Sequence, residues 1–486
     1  MSASTEQLRA EETNPAGIFL RALDEQSVRI RGPRQVSISA LVVGLLGPFA
    51  ALRSKSVQRG LLAIVILDIP LQLGTHVFYR EADAASGALA GLSISATTIA
   101  LLGLYASWFI RALEGRRQEA RCAPQRNWAL LCYLGLSALS LVVARDVRLS
   151  FFELFFLLQM YLVFLYITHF VRTDEDAQFV IAAVLAGCLI ESVLMVALGF
   201  ANASSGLWGP LHIRVSHELN GEFTRIGGTI GSPNEAGAYL SALLALAVSL
   251  LFAEIGRKYK WLAAAVLAFG GAALILTFSR GAWVSLFLAI TLFAISLGRR
   301  KGISIKALIP VVAISLLLYA PFHESIKARL FSDDNGAAES RVPLMKLAFR
   351  MIADNPILGV GSNNFSAAMG DYVTSEFRRG FLYTVHNKYL LVWAEIGPLG
   401  LLAYLAFFTG ALRKGWACWK GNDPLLSVIA LGLTFAIVGN MLHQTVEILQ
   451  DRAMTQLLWV FAGLLTAMHN TMRTQRFSSD PFSSIT

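Results

Sequence analysis

Three short stretches of this sequence combine residue types that can do chemistry, and each borders a long apolar run. The first is Arg225-Ile-Gly-Gly-Thr-Ile-Gly-Ser-Pro-Asn-Glu235. Ser232 to Glu235 fits the S-x-x-E capping box, and Pro233 suits the first helical position. A helix capped in this way presents free N–H groups beside Gly227, Gly228 and Gly231, and Arg225 adds full charge, which together make an anion-binding arrangement. The same residues also describe a flexible loop that ends in a well-made cap. The second stretch is Thr277-Phe-Ser-Arg280-Gly-Ala-Trp283, a tight junction between two apolar runs. An arginine near a membrane interface is usually an anchor that snorkels to the headgroups, but two arginines near helix ends would clamp a phosphate or diphosphate. The third is Val385-His386-Asn387-Lys388-Tyr389-Leu390, with Glu395 one to two turns further on. An imidazole titrates near neutrality, so His386 could act as a general base; a loop histidine can equally be plain polar surface.

The elements that must hold these residues follow from composition. The chain has 486 residues, of which 55% are hydrophobic and 15% charged, and its mean hydropathy is +0.57. Soluble proteins carry about 25% charged residues, so a soluble enzyme, a disordered chain and a collagen-like fibre are excluded. Apolar runs lie at 59–78, 87–110, 127–144, 150–171, 178–200, 235–254, 260–278, 281–298, 303–320, 388–411, 424–446 and 453–469. Each is close to the ~20 residues that a membrane helix needs, and helices are the viable spans where no strand alternation appears. The expectation is an all-α, polytopic integral membrane protein with about twelve transmembrane helices. The run 36–51 has basic residues on both sides and contains Gly44, Gly47 and Pro48. It reads as a re-entrant or interfacial segment, with a thirteenth span as the alternative. Residues 16–26 could lie on the inner surface as an amphipathic helix.

Charge then sets the orientation. Basic clusters at Arg53/Lys55/Arg59, Arg111–Arg126, Arg257/Lys258/Lys260, Arg299/Arg300/Lys301, Arg413/Lys414 and Arg473/Arg476 all fall on one side of a twelve-span chain. The positive-inside rule makes that side cytoplasmic. It also absorbs the net charge of +9 without any need for nucleic acid. The three chemical stretches therefore face outward, where arginine is disfavoured. The expected division is a cytoplasmic tail with the re-entrant or interfacial segment (1–58), N-terminal transmembrane helices (59–200), and central ones with an arginine-bearing periplasmic loop (201–320). A long, partly helical periplasmic loop (321–387), C-terminal transmembrane helices (388–470) and a cytoplasmic tail (471–486) complete it. Within the long loop, Arg341–Ile352 has amphipathic spacing that Asn355-Pro356 breaks. The four cysteines show no metal-ligand spacing, and the outer loops lack clustered carboxylates and histidines, so no metal or cofactor is expected. His443 lies within a span and reads as a buried, hydrogen-bonded histidine or as a second site residue. Asp68, Glu153 and Glu191 lie in or at the ends of spans, where ionisable groups tend to be functional.

Taken in order, the Arg225 loop ending in Pro-Asn, the Ser-Arg-Gly-Ala at 279–282, Asn355-Pro-Ile-Leu-Gly-Val-Gly-Ser-Asn363 and His386-Asn-Lys-Tyr-Leu390 with Glu395-Ile-Gly397 resemble the bacterial O-antigen ligase family, which includes O-antigen and exopolysaccharide polymerases. The resemblance covers roughly residues 185–410. It implies a GT-C-like, metal-independent, inverting glycosyltransferase of the inner membrane, with its active site facing the periplasm. The donor would be an undecaprenyl-diphosphate-linked glycan. The acceptor would be lipid A–core in a ligase, or another lipid-linked repeat in a polymerase. His386 matches the family's proposed base, and Arg225 and Arg280 match its diphosphate-binding arginines. Arg341 and Tyr389 are further candidates for pyrophosphate or acceptor contacts, and Asn234, Asn387 and Glu395 are others within the same motifs. A transporter or flippase of similar span count is the alternative from another class. It is disfavoured because the two halves show no convincing repeat and the informative residues sit at outer helix ends.

Overall fold

Residues 54–113, 127–201, 206–208, 213–220, 223–301, 341–373 and 382–478 are described by the computed structural model, all in the unit that spans residues 35–486. The segments expected at 16–26, 36–51 and 303–320 lie outside the described residues. The first described helix, α1 (Lys55–Leu71), stops at Asp68 and Gln72. Gln72 takes a left-handed conformation and its N–H returns to the Asp68 carbonyl. The Asp68 carboxylate accepts the N–H of Leu73 at 2.7 Å and, through its other oxygen, the N–H of Thr97 at 2.9 Å. One buried side chain thus ends α1 and opens α3 (Ala96–Leu113). Between them β1 (Gly74–Val77) pairs antiparallel with β2 (Leu92–Ser95), and α2 (Glu81–Ala85) fills the connection. The runs at 59–78 and 87–110 are therefore helix plus strand, not uninterrupted helix. The Asp68 carboxylate marks both boundaries: it takes the N–H of Leu73 just past the end of α1 and that of Thr97 in the first turn of α3.

The bundle continues with α4 (Trp128–Leu139), α5 (Val147–Phe170) and α6 (Asp174–Ala201). A three-stranded antiparallel arm follows, β3 (Gly206–Trp208), β4 (Ile213–Asn220) and β5 (Phe223–Gly228). Next come α7 (Pro233–Phe252), α8 (Arg257–Leu276) and α9 (Arg280–Lys301), then α10 (Arg341–Asp354), the single turn α11 (Phe365–Ala368), and α12 (Lys388–Trp419), α13 (Leu426–His443) and α14 (Arg452–Ser478). The protein is mostly helical, but five short strands among the described residues depart from the all-α expectation. Among the described residues seven helices (α5 to α9, α12 and α13) are long and apolar enough to cross a membrane, and two shorter apolar helices cover 96–109 and 128–142. α7 is the central one, buried along almost its whole length and packed against α8, α9 and α13.

Helix polarity places the connections β5–α7, α8–α9 and α13–α14 and the start of α12 at one end of the bundle. Arg257, Lys258 and Lys260 open α8, Arg299, Arg300 and Lys301 close α9, and Arg413 and Lys414 lie toward the end of α12. These basic residues occupy the opposite end.

Two features brace the strand-bearing end. Asp146 caps α5, accepting the N–H groups of Arg148 and Leu149, and pairs with Arg80. Burial pushes its carboxyl upward, but the Arg80 hydrogen bond, the two N–H groups and the Arg80 charge together hold it below the usual carboxylate range. The second brace is a kink in α12 at Gly397-Pro398, where Gly397 has φ 74°. Pro398 has no N–H to offer the Ala394 carbonyl. The carbonyls of Ala394 and Glu395 instead accept the N–H groups of Val360 and Gly361, each at 2.9 Å. The Asn355–Asn363 motif is thereby stitched onto the helix.

Gly397→Ala is expected to lower the melting temperature in detergent. The left-handed conformation alone costs an L-residue about 1–2 kcal/mol, and the new Cβ would lie 1.9 Å from the Ile357 oxygen. Gly410→Ala, with nothing within 4 Å of its Cβ, is the matched control and is expected to leave the melting temperature unchanged. Because the folded Asp146 carboxyl is the stronger acid, its contribution is complete above the unfolded value of about 4 and is lost as pH falls through the folded one. The melting temperature should therefore drop more steeply on acidification in the wild type than in Asp146→Asn.

Candidate functional site

Arg225 is carried on β5, the last strand of the arm. The arm is tied down just beyond it, where the Glu191 carboxylate on α6 accepts the Thr229 N–H at 2.8 Å; Glu191 is an anchor for the arm. Arg225 is only 7% exposed. Its Nε donates to the Thr277 carbonyl at 2.9 Å and a terminal nitrogen donates to Asn234 Oδ1 at 2.6 Å. Thr277 caps the C-terminus of α8, where unpaired carbonyls favour a cation. The chain then reverses through Phe278, which has φ 49°, and the Ser279 N–H bonds the Thr277 hydroxyl oxygen at 3.2 Å. Arg280 opens α9 directly after this turn. The two arginines singled out from the sequence are thus brought to one turn.

Asn234 lies in the first turn of α7, whose N-cap Ser232 accepts the Asn234 N–H and whose Pro233 occupies the first turn. The expected reciprocal half of the capping box is absent: Glu235 accepts the Asp451 N–H, 3.3 Å away on the α13–α14 connection. Asn234 Nδ2 donates to Glu447 Oε2 at 2.7 Å, and Arg341, at the start of α10, lies 3.9 Å from the same oxygen. Sequence reasoning did not single out Glu447. The available signal was the polar crowding of His443-Gln444-Thr445 and Glu447 at the end of an apolar run.

The same connection holds the histidine segment. Asn387 caps α12, accepting the Leu390 N–H, while its Nδ2 donates to the Thr445 carbonyl at 2.9 Å. The Lys388 N–H bonds the Gln444 carbonyl at 2.9 Å, and the Tyr389 hydroxyl donates to the Met441 carbonyl at 2.6 Å. Asn387 and Tyr389 are therefore fasteners. His386 is half-buried, with the Tyr383 ring edge-on at 5.4 Å. Its Nδ1 sits 3.1 Å from the Thr384 carbonyl. A carbonyl can only accept, so Nδ1 carries the proton and the lone pair of the neutral ring resides on Nε2. That is the tautomer a base needs if Nε2 is to take a proton.

Glu395 serves the kink: its Oε1 accepts the Phe365 N–H at 3.1 Å, which holds α11 against α12. Behind the histidine segment a cavity of about 20 Å³, lined by Tyr133, Glu153, Lys388, Gln444 and Gln450 among others, has room for a water molecule. Among the described residues no three His, Cys, Asp or Glu side chains form a metal-binding group.

His443 ends α13 and is 3% exposed, with no hydrogen-bond partner on Nδ1; of the two readings offered by the sequence, the hydrogen-bonded one does not hold for that nitrogen. Its ring rests on Gly281, where a Cβ would lie 2.5 Å from Nε2. Gly281→Ala must therefore displace the imidazole, the C-terminus of α13 or the Arg280 turn. It is expected to lower the melting temperature in detergent, and Gly281→Ala with His443→Ala to recover part of the loss; thermal unfolding of the single and double variants checks this.

Comparison with known proteins adds two findings. No curated protein matches the chain significantly. A solved structure of a peptidoglycan synthase complex, described for its coordination of polymerization and crosslinking, contains a chain that aligns over 71% of this one and 98% of its own length. The identity is 12% and the TM-score 0.37, too low to equate the folds. Residues 263–405, which include Arg280, Arg341, His386 and Glu395, match the O-antigen ligase family.

Proposed function

We propose that the protein is a metal-independent, inverting glycosyltransferase of the bacterial inner membrane, active at the periplasmic face. It moves a glycan from an undecaprenyl diphosphate donor to a hydroxyl of lipid A–core. The observation that carries this reading is the convergence of two kinds of chemistry on one short connection. Residues 441–447 bond the segment that bears His386 and, through Glu447 and Asn234, the arginine that faces the α8–α9 turn. A basic nitrogen and a pair of guanidinium groups are the parts that displacement of a diphosphate requires.

In this scheme Arg225 and Arg280 hold the diphosphate and stabilise the charge that develops as the anomeric carbon–oxygen bond breaks. The Arg225 guanidinium is held in place by Thr277 and Asn234 before any substrate arrives. His386 Nε2 takes the proton of the acceptor hydroxyl as its oxygen attacks from the face opposite the leaving group, which inverts the anomeric centre. Holding both lipid-linked substrates at one end of the bundle supplies proximity. A polymerase of the same family would use the same parts with a lipid-linked repeat as acceptor.

His386→Ala is expected to insert and express normally while losing about 10²–10⁴-fold in transfer rate, the usual worth of a general base. Full activity in that variant would remove His386 from the mechanism. Arg225→Ala should raise the donor KM more than it lowers kcat, with Arg225→Lys recovering only part because one ammonium cannot reproduce the two-point contact. In a deletion strain, polymer that remains on the carrier lipid and is missing from lipid A–core identifies a ligase. Accumulation of single repeats on the carrier identifies a polymerase.

A further inference from the structure

The end of the bundle opposite the histidine gathers cations at a point where two helices finish together. Arg300, near the end of α9, reaches across to the end of α12. One of its terminal nitrogens donates to the carbonyls of Gly421 at 2.7 Å and Lys420 at 3.4 Å. Its guanidinium carbon stands 4.6 Å from the centre of the Trp419 ring. One turn earlier, the Trp416 ring lies 6.0 Å from the Lys420 ammonium. Both cations are thus fastened to the last turn of α12, and Arg299, the neighbour of Arg300 on α9, is exposed. Among the described residues none of the three pairs with a carboxylate. Asp423, the acid nearest Lys420 in sequence, turns Oδ1 to the N–H groups of Leu425 and Leu426 at the start of α13. The carbonyls that end α12 account for Arg300; they do not account for two further cations around it, which repel one another.

What flanks the cluster tells which anion it suits. Val284, Phe287 and Ile295 are 56%, 73% and 45% exposed, and their spacing places them with Arg299 on one face of α9. That helix is long and apolar enough to cross a membrane, so its exposed face meets acyl chains. The cluster then stands at headgroup depth, where an exposed tryptophan such as Trp416 is favoured. We propose that Arg299, Arg300 and Lys420 form a site for the phosphate headgroup of an anionic phospholipid, with an acyl chain laid along the Val284–Ile295 face of α9. Arg300 is the specific element. Fixed on two carbonyls and a ring through one nitrogen, its guanidinium has further N–H groups to give a phosphate. Lys420 and Arg299 add charge beside it. Inorganic phosphate satisfies the cations and leaves the apolar face bare, whereas a zwitterionic lipid does the reverse. The site is independent of the glycosyltransferase reading.

The test uses the full chain in detergent, with dioleoylphosphatidylglycerol added in mixed micelles and its affinity read from the rise in melting temperature. The wild type is expected to be stabilised by this lipid, and not by dioleoylphosphatidylcholine or by inorganic phosphate. Lys420→Ala and Arg299→Ala should each weaken the apparent affinity about fivefold, the usual worth of one basic residue at an anionic membrane surface. Arg300→Ala should weaken it about tenfold, with Arg300→Lys recovering only part because the planar fork is lost. Lys258→Ala removes a charge of the same sign at the same end of the bundle and should leave the affinity unchanged. An equal loss in Lys258→Ala means general attraction to negative charge and overturns the site. Wild-type affinity in Arg300→Ala, equal stabilisation by phosphatidylcholine or by inorganic phosphate, or no stabilisation of the wild type by any of them, overturns it as well. If Arg300→Ala fails to fold, Arg299→Ala and Lys420→Ala, both at exposed positions, decide the matter: each must bind the lipid worse than Lys258→Ala does.

Discussion

A helix carbonyl that loses its N–H partner inside an apolar bundle has no water to turn to, and leaving it unpaired costs several kcal/mol. Pro398 creates that situation in α12, and the rest of the active end is arranged around the solution. The two freed carbonyls, on Ala394 and Glu395, are taken by successive N–H groups of the Asn355–Asn363 segment. That segment is then held in a fixed register, and its own side chains extend the brace. Asn363 bonds the backbone of Leu89 and Leu149, and Asn364 that of Asp146. A motif rich in glycine and asparagine, which in isolation suggests ligand contact, is here the mortar between α12, α5 and the β1–β2 connection. Only with this part of the bundle set can the turn before α12 present His386 in a defined place.

The second constraint is polar and runs along the α13–α14 connection. Gln444, Thr445, Glu447, Gln450 and Asp451 each bond a different part of the chain, and the connection ends at Arg452, whose guanidinium is paired with the buried Asp68 carboxylate. Removing one partner of such a pair strands a charge at a cost of about 3–5 kcal/mol. The connection is consequently tied at its far end to the same aspartate that ends α1 and opens α3. The His386 segment and the Asn234 amide that holds Arg225 are fastened to one connection, which is itself fastened to the helical core.

The residues proposed for the chemistry were legible because they break a pattern. Arg225, Arg280 and His386 are polar residues set in short motifs at helix ends, at the end of the bundle opposite the basic clusters that open α8 and close α9. The arm that carries Arg225 was less legible, although Ile213, Val215 and Leu219 alternate with Arg214, Ser216, Glu218 and Asn220, the period of a half-buried strand; abundant glycine made it read as loop. Glu235 misled in the other direction. Its spacing fits a local capping box, but a tertiary partner, the Asp451 N–H, outcompeted the N-cap N–H. Glu447 was signalled only by the polar crowding of His443-Gln444-Thr445 beside it at the end of an apolar run; its bond to Asn234 crosses more than two hundred residues, which local spacing does not encode. Glu395, Asn387 and Tyr389, candidates from the same motifs, also support the histidine segment: each bonds the backbone of a neighbouring segment.

That both sides of the site hang from one short connection has a consequence for what the site measures. On the proposed reading, residues 441–447 fix the interval between His386 and the arginine that would hold the diphosphate, a caliper set to a single bond. A donor carrying one repeat and a donor carrying many would present the same linkage to it and be gripped alike.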